Sequence, residues 1–291
     1  MKFLKLLFPA IISSVIFYSC GNDGVTNNSV TPQDNFTYPY DINSYWYYGT
    51  RNFVTNLRPD SLKVYFPADT LKGYGGSTFV RDTVIKGITL RYFRNSHSDE
   101  GHSHATLELY NQTDSGLIRH AFYSNGTNFG PFRPDGNLVY SLNGISFGNL
   151  NDLVSYFKID ERNTENKNSN GDTVLIFDKP PITTLKYPVQ KNYEWLFYIS
   201  GTTKLTKKYT DYEYVNLSGN SFYCIKIQKQ WYMDNSQTPD SHFIFYDYFS
   251  DAGMVKREFT IKDIQINNQK GQLLGYIDAK DEAFLNFFTH P

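Results

Sequence analysis

The chain has 291 residues, with 28 Lys and Arg against 29 Asp and Glu, for a formal net charge of −1. That balance, without a basic stripe, gives nucleic acid no electrostatic footprint to bind. Two cysteines exclude a disulfide framework, so an apolar core must hold the fold; aromatics at 17% of the chain supply it.

The first residues read MKFLKLLFPAIISSVIFYSC. Lys2 and Lys5 lead an apolar run from Leu6 to Tyr18, which is short for a spanning helix and suits a signal peptide. Phe17, Tyr18 and Ser19 precede Cys20, with the small Ser19 beside the cysteine. The segment resembles the lipobox of bacterial lipoproteins, with Phe17 standing where that motif usually has Leu. The resemblance implies loss of residues 1–19 and attachment of diacylglycerol and a further acyl chain, such as palmitate, at Cys20. It makes the membrane a partner through that anchor. Gly21, rather than Asp, after the cysteine implies the outer membrane. Two or three acyl chains anchor stably, because each buried methylene contributes about 0.8 kcal/mol.

Residues 20–37 are polar and low in large apolar side chains, and read as a flexible tether. From 38 onward, short stretches such as SYWYYGTRNFV, SLKVYF, ATLELYNQ and LIRHAFYS alternate apolar and polar residues between turn signals. The pattern returns beyond 190 in EWLFYISG, SFYCIKIQKQWY, HFIFYDYFS and MVKREFTIKDIQI. No βαβ alternation appears, so the fold class predicted is all-β with minor α. Phe147, Leu150, Leu153, Val154 and Phe157 recur near a 3.6 period and predict one helix, capped by Asn149 or Asn151. The closing DEAFLNFF reads as a helix or a last edge strand.

Two signals occur twice. Tyr38-Pro39, Asn43 and Trp46 return at identical spacing as Tyr187-Pro188, Asn192 and Trp195. Asp114-Ser115-Gly116 and Asp251-Ala252-Gly253 each precede an aliphatic pair and a basic residue. The expectation is two related antiparallel β units, as curved open sheets or partial barrels: an N-terminal domain over 38–180 and a C-terminal domain over 181–291. Trp46 and Trp195 would be equivalent core residues; a paired ligand site is the sharper reading. Residues 160–172, highly polar, form a loop or linker before the boundary.

Three features bear on chemistry. Gly144-Ile145-Ser146-Phe147-Gly148 matches the nucleophile elbow of α/β-hydrolases. That resemblance implies Ser146 as nucleophile, His242 or His290 as base and Asp211 or Asp240 as orienting acid; a glycine-containing turn explains the same residues. His97, Asp99, His102 and His104 crowd a short stretch that can hold a metal ion weakly or form a solvated hairpin tip. Cys224 sits in an alternating stretch and reads as an inert buried thiol. No P-loop, dinucleotide fingerprint, C-x-x-C or EF-hand loop is present, so no cofactor, catalytic residue or metal site is assigned. The function expected is that of a non-enzymatic envelope lipoprotein that binds a lipid or glycan ligand or scaffolds envelope proteins, with a serine hydrolase as the alternative.

Overall fold

The computed structural model describes residues 36–66, 71–99, 102–124, 137–158 and 174–291. The first strands are β1 (Tyr45–Arg58), β2 (Leu71–Ile85), β3 (Ile88–Asp99), β4 (His102–Thr113) and β5 (Gly116–Ser124). Then come two short strands, β6 (Leu138–Leu142) and β7 (Ile145–Phe147), and the helix α1 (Leu150–Lys158). The chain continues through β8 (Val174–Lys186), β9 (Glu194–Ser200), β10 (Thr203–Leu217), β11 (Asn220–Tyr232), β12 (Phe243–Ser250), β13 (Gly253–Asn268) and β14 (Leu273–Thr289). All-β with minor α is therefore the observed class.

These strands make one sheet. Its order is β8-β5-β4-β3-β2-β1-β14-β13-β12-β11-β10-β9, antiparallel throughout, with β6 attached to β13 and β7 to β6. The strands expected in two β units join in a single sheet of partial-barrel form: β14 pairs with β1 on one side and β13 on the other. The physical reason is edge satisfaction. A free β1 would expose a long row of unpaired N–H and C=O groups, and the C-terminal strand covers it. The stretch expected as a terminal helix or edge strand thus lies inside the sheet. β8 spans residues 180 and 181, with its register against β5 shifting between Phe177 and Ile182.

The sheet curls into a nearly closed barrel whose seam lies between β8 and β9. Side chains bridge the seam. Tyr209 Oη donates to the Lys186 carbonyl at 2.6 Å and accepts the Lys186 N–H at 3.1 Å. Trp195 Nε1 donates to the Thr183 carbonyl at 2.9 Å, and Lys207 Nζ to that of Thr184 at 3.1 Å.

The two Asn residues of the repeated Tyr-Pro, Asn and Trp signal have matching local geometry. Asn43 and Asn192 adopt φ of 72° and 67°, a left-handed conformation that Asn tolerates. The Asn43 N–H bonds the Phe79 carbonyl at 2.8 Å, and that of Asn192 bonds the Tyr209 carbonyl at 2.7 Å. The two tryptophans are core residues: Trp46 is fully buried and Trp195 nearly so. Trp46 Nε1 donates to the Ala252 carbonyl at 2.6 Å. Gly253 makes room for it, since a Cβ there would lie 2.4 Å from Trp46 Nε1, and its φ is +94°.

Two apolar clusters fill the barrel. One gathers Trp46, Phe79, Tyr38 and Phe249. The other packs Trp231, Phe243 and Phe259 against Leu150, Leu153, Val154 and Phe157 of α1. Those four helical residues lie on one stripe, as their spacing predicts. Asn149 caps the helix by accepting the Asp152 N–H at 2.7 Å. Trp231 Nε1 donates to the Phe157 carbonyl at 3.0 Å, satisfying an acceptor near the helix end.

Candidate functional site: a polar chamber inside the barrel

Each strand sends alternate side chains inward. On β1 these are Tyr48, Thr50 and Asn52; on β3, Phe93, Asn95 and His97; on β4, Thr106, Glu108 and Tyr110. Between β1 and β3, Gly75 of β2 sits opposite both Tyr48 and His97 and contributes no side chain. The result is a partly open chamber of about 420 Å³, within the size range of small-molecule sites. Helix α1 contributes Asn151, Val154 and Ser155 to its wall.

Buried charge distinguishes this interior. Glu108, Arg119, Lys207, Lys229 and Asp247 are each less than 7% exposed. Arg119 grips Asp178 through two bonds of 2.9 Å, with Glu108 at 3.8 Å from the same guanidinium. Tyr110 Oη donates to Glu108 at 2.7 Å. Arg257 pairs with Asp247 at 2.6 and 3.2 Å. Lys207 and Lys229 are direct cross-strand partners of β10 and β11, and their ammonium groups lie 4.2 and 5.0 Å from the Phe197 ring centroid. Cation–ring attraction of this kind is worth about 2 kcal/mol when desolvated. Burial pushes the Tyr48 phenol well above its ordinary pKa, so it stays neutral and keeps its proton for donation.

The wall that runs from β1 to β4 has polar atoms without a protein partner. Thr50 Oγ1, Asn52 Oδ1 and Thr106 Oγ1 are buried and make no hydrogen bond to any described residue. Leaving such a group unpaired costs about 1–3 kcal/mol. Beside them, Ser77 Oγ donates to Asn95 Oδ1 at 2.6 Å.

The residues singled out from sequence lie elsewhere, with one exception. Ser146 stands on β7, after an Asn143-Gly144 hairpin turn in which both residues have positive φ. This is a hairpin rather than a strand-to-helix elbow. The Ser146 hydroxyl is exposed and pairs with Ser141 Oγ at 2.8 Å; no histidine bonds it among the described residues. His242 Nδ1 pairs with Asp240 at 2.7 Å, while Asp240 also accepts from Asn143. His290 packs its ring on Trp46 and Phe288. Asp211 pairs with Lys191 at the surface. One candidate base and acid, His242 and Asp240, are therefore paired, but no hydrogen bond joins Ser146 to either.

The exception is His97, which lines the chamber. His97 and Asp99 on β3 lie opposite His104 and His102 on β4, so the cluster is spread over a strand pair. The side chains of Asp99, His102 and His104 lie outside the described residues. Among described residues no group of three or more His, Cys, Asp or Glu is placed to hold a metal ion. Cys224 is buried, and burial pushes its thiol up to about 12. Cys20 lies outside the described residues.

Sequence reasoning missed the chamber itself. One signal was available: Asp247 interrupts the aromatic run FIFYDYFS, and a charge inside such a strand marks a polar interior.

No protein-family model matches the chain, and a search of curated proteins gives no match. Two solved structures are similar. One is a "putative exported protein with YmcC-like fold" of Bacteroides fragilis, 9% identical, covering 87% of this chain and 99% of that one, with a TM-score of 0.33. The other is a "putative lipoprotein" of Parabacteroides distasonis, 10% identical, covering 87% and 97%, with a TM-score of 0.28.

Proposed function

We propose that this protein is an exported, lipid-anchored envelope protein whose barrel holds a small polar ligand. The observation that carries the reading is the chamber: buried hydroxyl, amide and charged groups line a space large enough for one small organic molecule. A protein that needed only a stable core would fill that space with apolar side chains, because packing gaps and unpaired polar groups both cost stability. An acyl chain suits it poorly, since hydrocarbon would leave Asn52 and Thr106 unpaired.

The anchor rests on the sequence around Cys20. The outer face of the barrel supports a body held outside the hydrocarbon. Arg51 pairs with Glu282 at 2.7 Å and Lys256 with Glu258 at 2.6 Å, on positions alternating with the chamber-lining ones. A lipid-facing barrel wall would be an apolar band.

The test uses the full chain, purified in detergent from its own membranes. Small molecules released on denaturation are identified by mass spectrometry and compared with those from Thr50→Phe, which fills the chamber. A compound present with the wild type and lost in the variant supports the reading. Equal recovery from both, or none from either, contradicts it. Cys20→Ser is expected to move the protein out of the membrane fraction; retention would remove the anchor.

A further inference from the structure

We propose that the chamber's ligand is a saccharide of one or two rings, recognised by its hydroxyl groups. This rests on the ligand-chamber reading above and names the chemistry that would occupy it.

The argument starts from the unpartnered atoms. Asn52 is 5% exposed and Thr106 8%, and both line the chamber with Thr50. Asn52 Oδ1 can only accept a hydrogen bond. The threonine hydroxyls can donate and accept. A ligand that satisfies all three must carry donors as well as acceptors, on more than one of its atoms. Sulfate and carboxylate ions carry no donor and leave Asn52 Oδ1 unpaired, and inorganic phosphate keeps at most one or two O–H donors near neutral pH. Acyl chains satisfy none of the three. A ring bearing several hydroxyls satisfies them all.

The surroundings fit the same class. Tyr48 and Phe93 line the chamber on the strands next to Gly75, offering flat apolar area for the C–H face of a sugar ring. Gly75 leaves a recess between Tyr48 and His97; a Cβ there would lie 2.8 Å from the Ser96 carbonyl oxygen, so no other residue fits without a shift. On the other side of the barrel Lys207 Nζ donates to the Thr184 carbonyl at 3.1 Å and stands over the Phe197 ring, which Lys229 Nζ also approaches. The two guanidinium groups are likewise committed, to Asp178 and Asp247 in two-bond pairs. The recognition surface is therefore mixed donor and acceptor rather than a cation cluster.

The experiment follows ligand-induced thermal shift and calorimetric titration of the full chain in detergent. The probes are neutral monosaccharides and disaccharides, an amino sugar, a uronic acid, inorganic phosphate and a short-chain fatty acid. The variant is Asn52→Leu with Thr106→Val, which keeps the branching of each side chain and removes two of the three unpartnered polar atoms. At least one saccharide is expected to raise the wild-type Tm. The variant is expected to melt at the same temperature or higher without ligand, and to bind that saccharide at least about tenfold more weakly. Its own melting curve is the check that it folds. No saccharide response in the wild type, or equal binding by the variant, overturns the inference. Binding of phosphate or fatty acid alone ends the saccharide assignment and leaves the chamber reading standing. No binding of any probe, joined to no co-purifying compound, ends both.

Discussion

Tyr187 accepts the backbone N–H of Tyr38 on its hydroxyl oxygen at 2.8 Å, across 149 residues of sequence. The two Tyr-Pro signals thus meet in space. Gln112 closes the circuit: its Oε1 accepts from Tyr187 Oη at 3.0 Å and its Nε2 donates to the Tyr38 carbonyl at 3.1 Å. The segment entering β1 is fastened to the segment that follows β8.

Tyr187→Phe breaks this circuit while keeping the ring. The Tyr38 N–H loses its acceptor inside a buried site, and the expected cost is about 1–2 kcal/mol. Urea unfolding followed by tryptophan fluorescence measures it; an unchanged midpoint would mean that the N–H finds another partner.

Much of the fold was legible because strands alternate visibly. The strands of β1 and β9–β13, the α1 helix and its Asn149 cap all follow from local patterns, since periodicity and capping are short-range. Closure was not legible. It depends on β14 pairing with β1, a contact between the two ends of the described chain, and no local pattern records a partner that distant. The chamber was hidden by a different effect. Alternation separates two faces of a strand, and the polar face is ordinarily taken as the outer one. In β10 and β11, Lys207 and Lys229 lie inside, so the rule pointed the wrong way where the site is. The G-x-S-x-G match illustrates the converse: its spacing is satisfied by an Asn-Gly hairpin.

The Arg119–Asp178 pair is buried on both sides, each side chain 5% exposed. Asp178→Ala leaves a buried guanidinium with Glu108 at 3.8 Å as a remaining carboxylate. The expected loss is about 3 kcal/mol, near the low end for breaking a buried pair because Glu108 stays. Chemical denaturation checks it. A loss below about 1 kcal/mol would show that the pair behaves like a surface ion pair.

Asp82 is held below the ordinary carboxylate range, first by its hydrogen bonds from Arg91. Arg91 also donates to the Tyr40 carbonyl and lies 4.5 Å from the Tyr40 ring, so the ion pair pins the chain just before β1. A depressed folded pKa contributes stability that is complete above the unfolded value, about 3.9, and is lost as pH falls through the folded value. Asp82→Asn is expected to be less stable than the wild type near about pH 6, with the gap shrinking below about pH 4. A gap independent of pH would assign the effect to packing.

Cys224 is fully buried, and burial raises its thiol to about 12. At neutral pH it is neither accessible nor ionised, and the thiolate is the reactive form. In Cys20→Ser, where Cys224 is the remaining cysteine, a disulfide reagent is expected to leave the native protein unlabelled for hours and to modify it stoichiometrically in denaturant. Rapid labelling of native protein would show that β11 opens locally.

The most direct measurement of the central claim is a high-resolution crystal structure of the protein purified from its own membranes, with difference density inspected inside the barrel. The account predicts continuous density for one small molecule, within hydrogen-bond distance of Asn52 Oδ1 and Thr106 Oγ1. Separate water peaks alone, or side chains collapsed to fill the space, would contradict it.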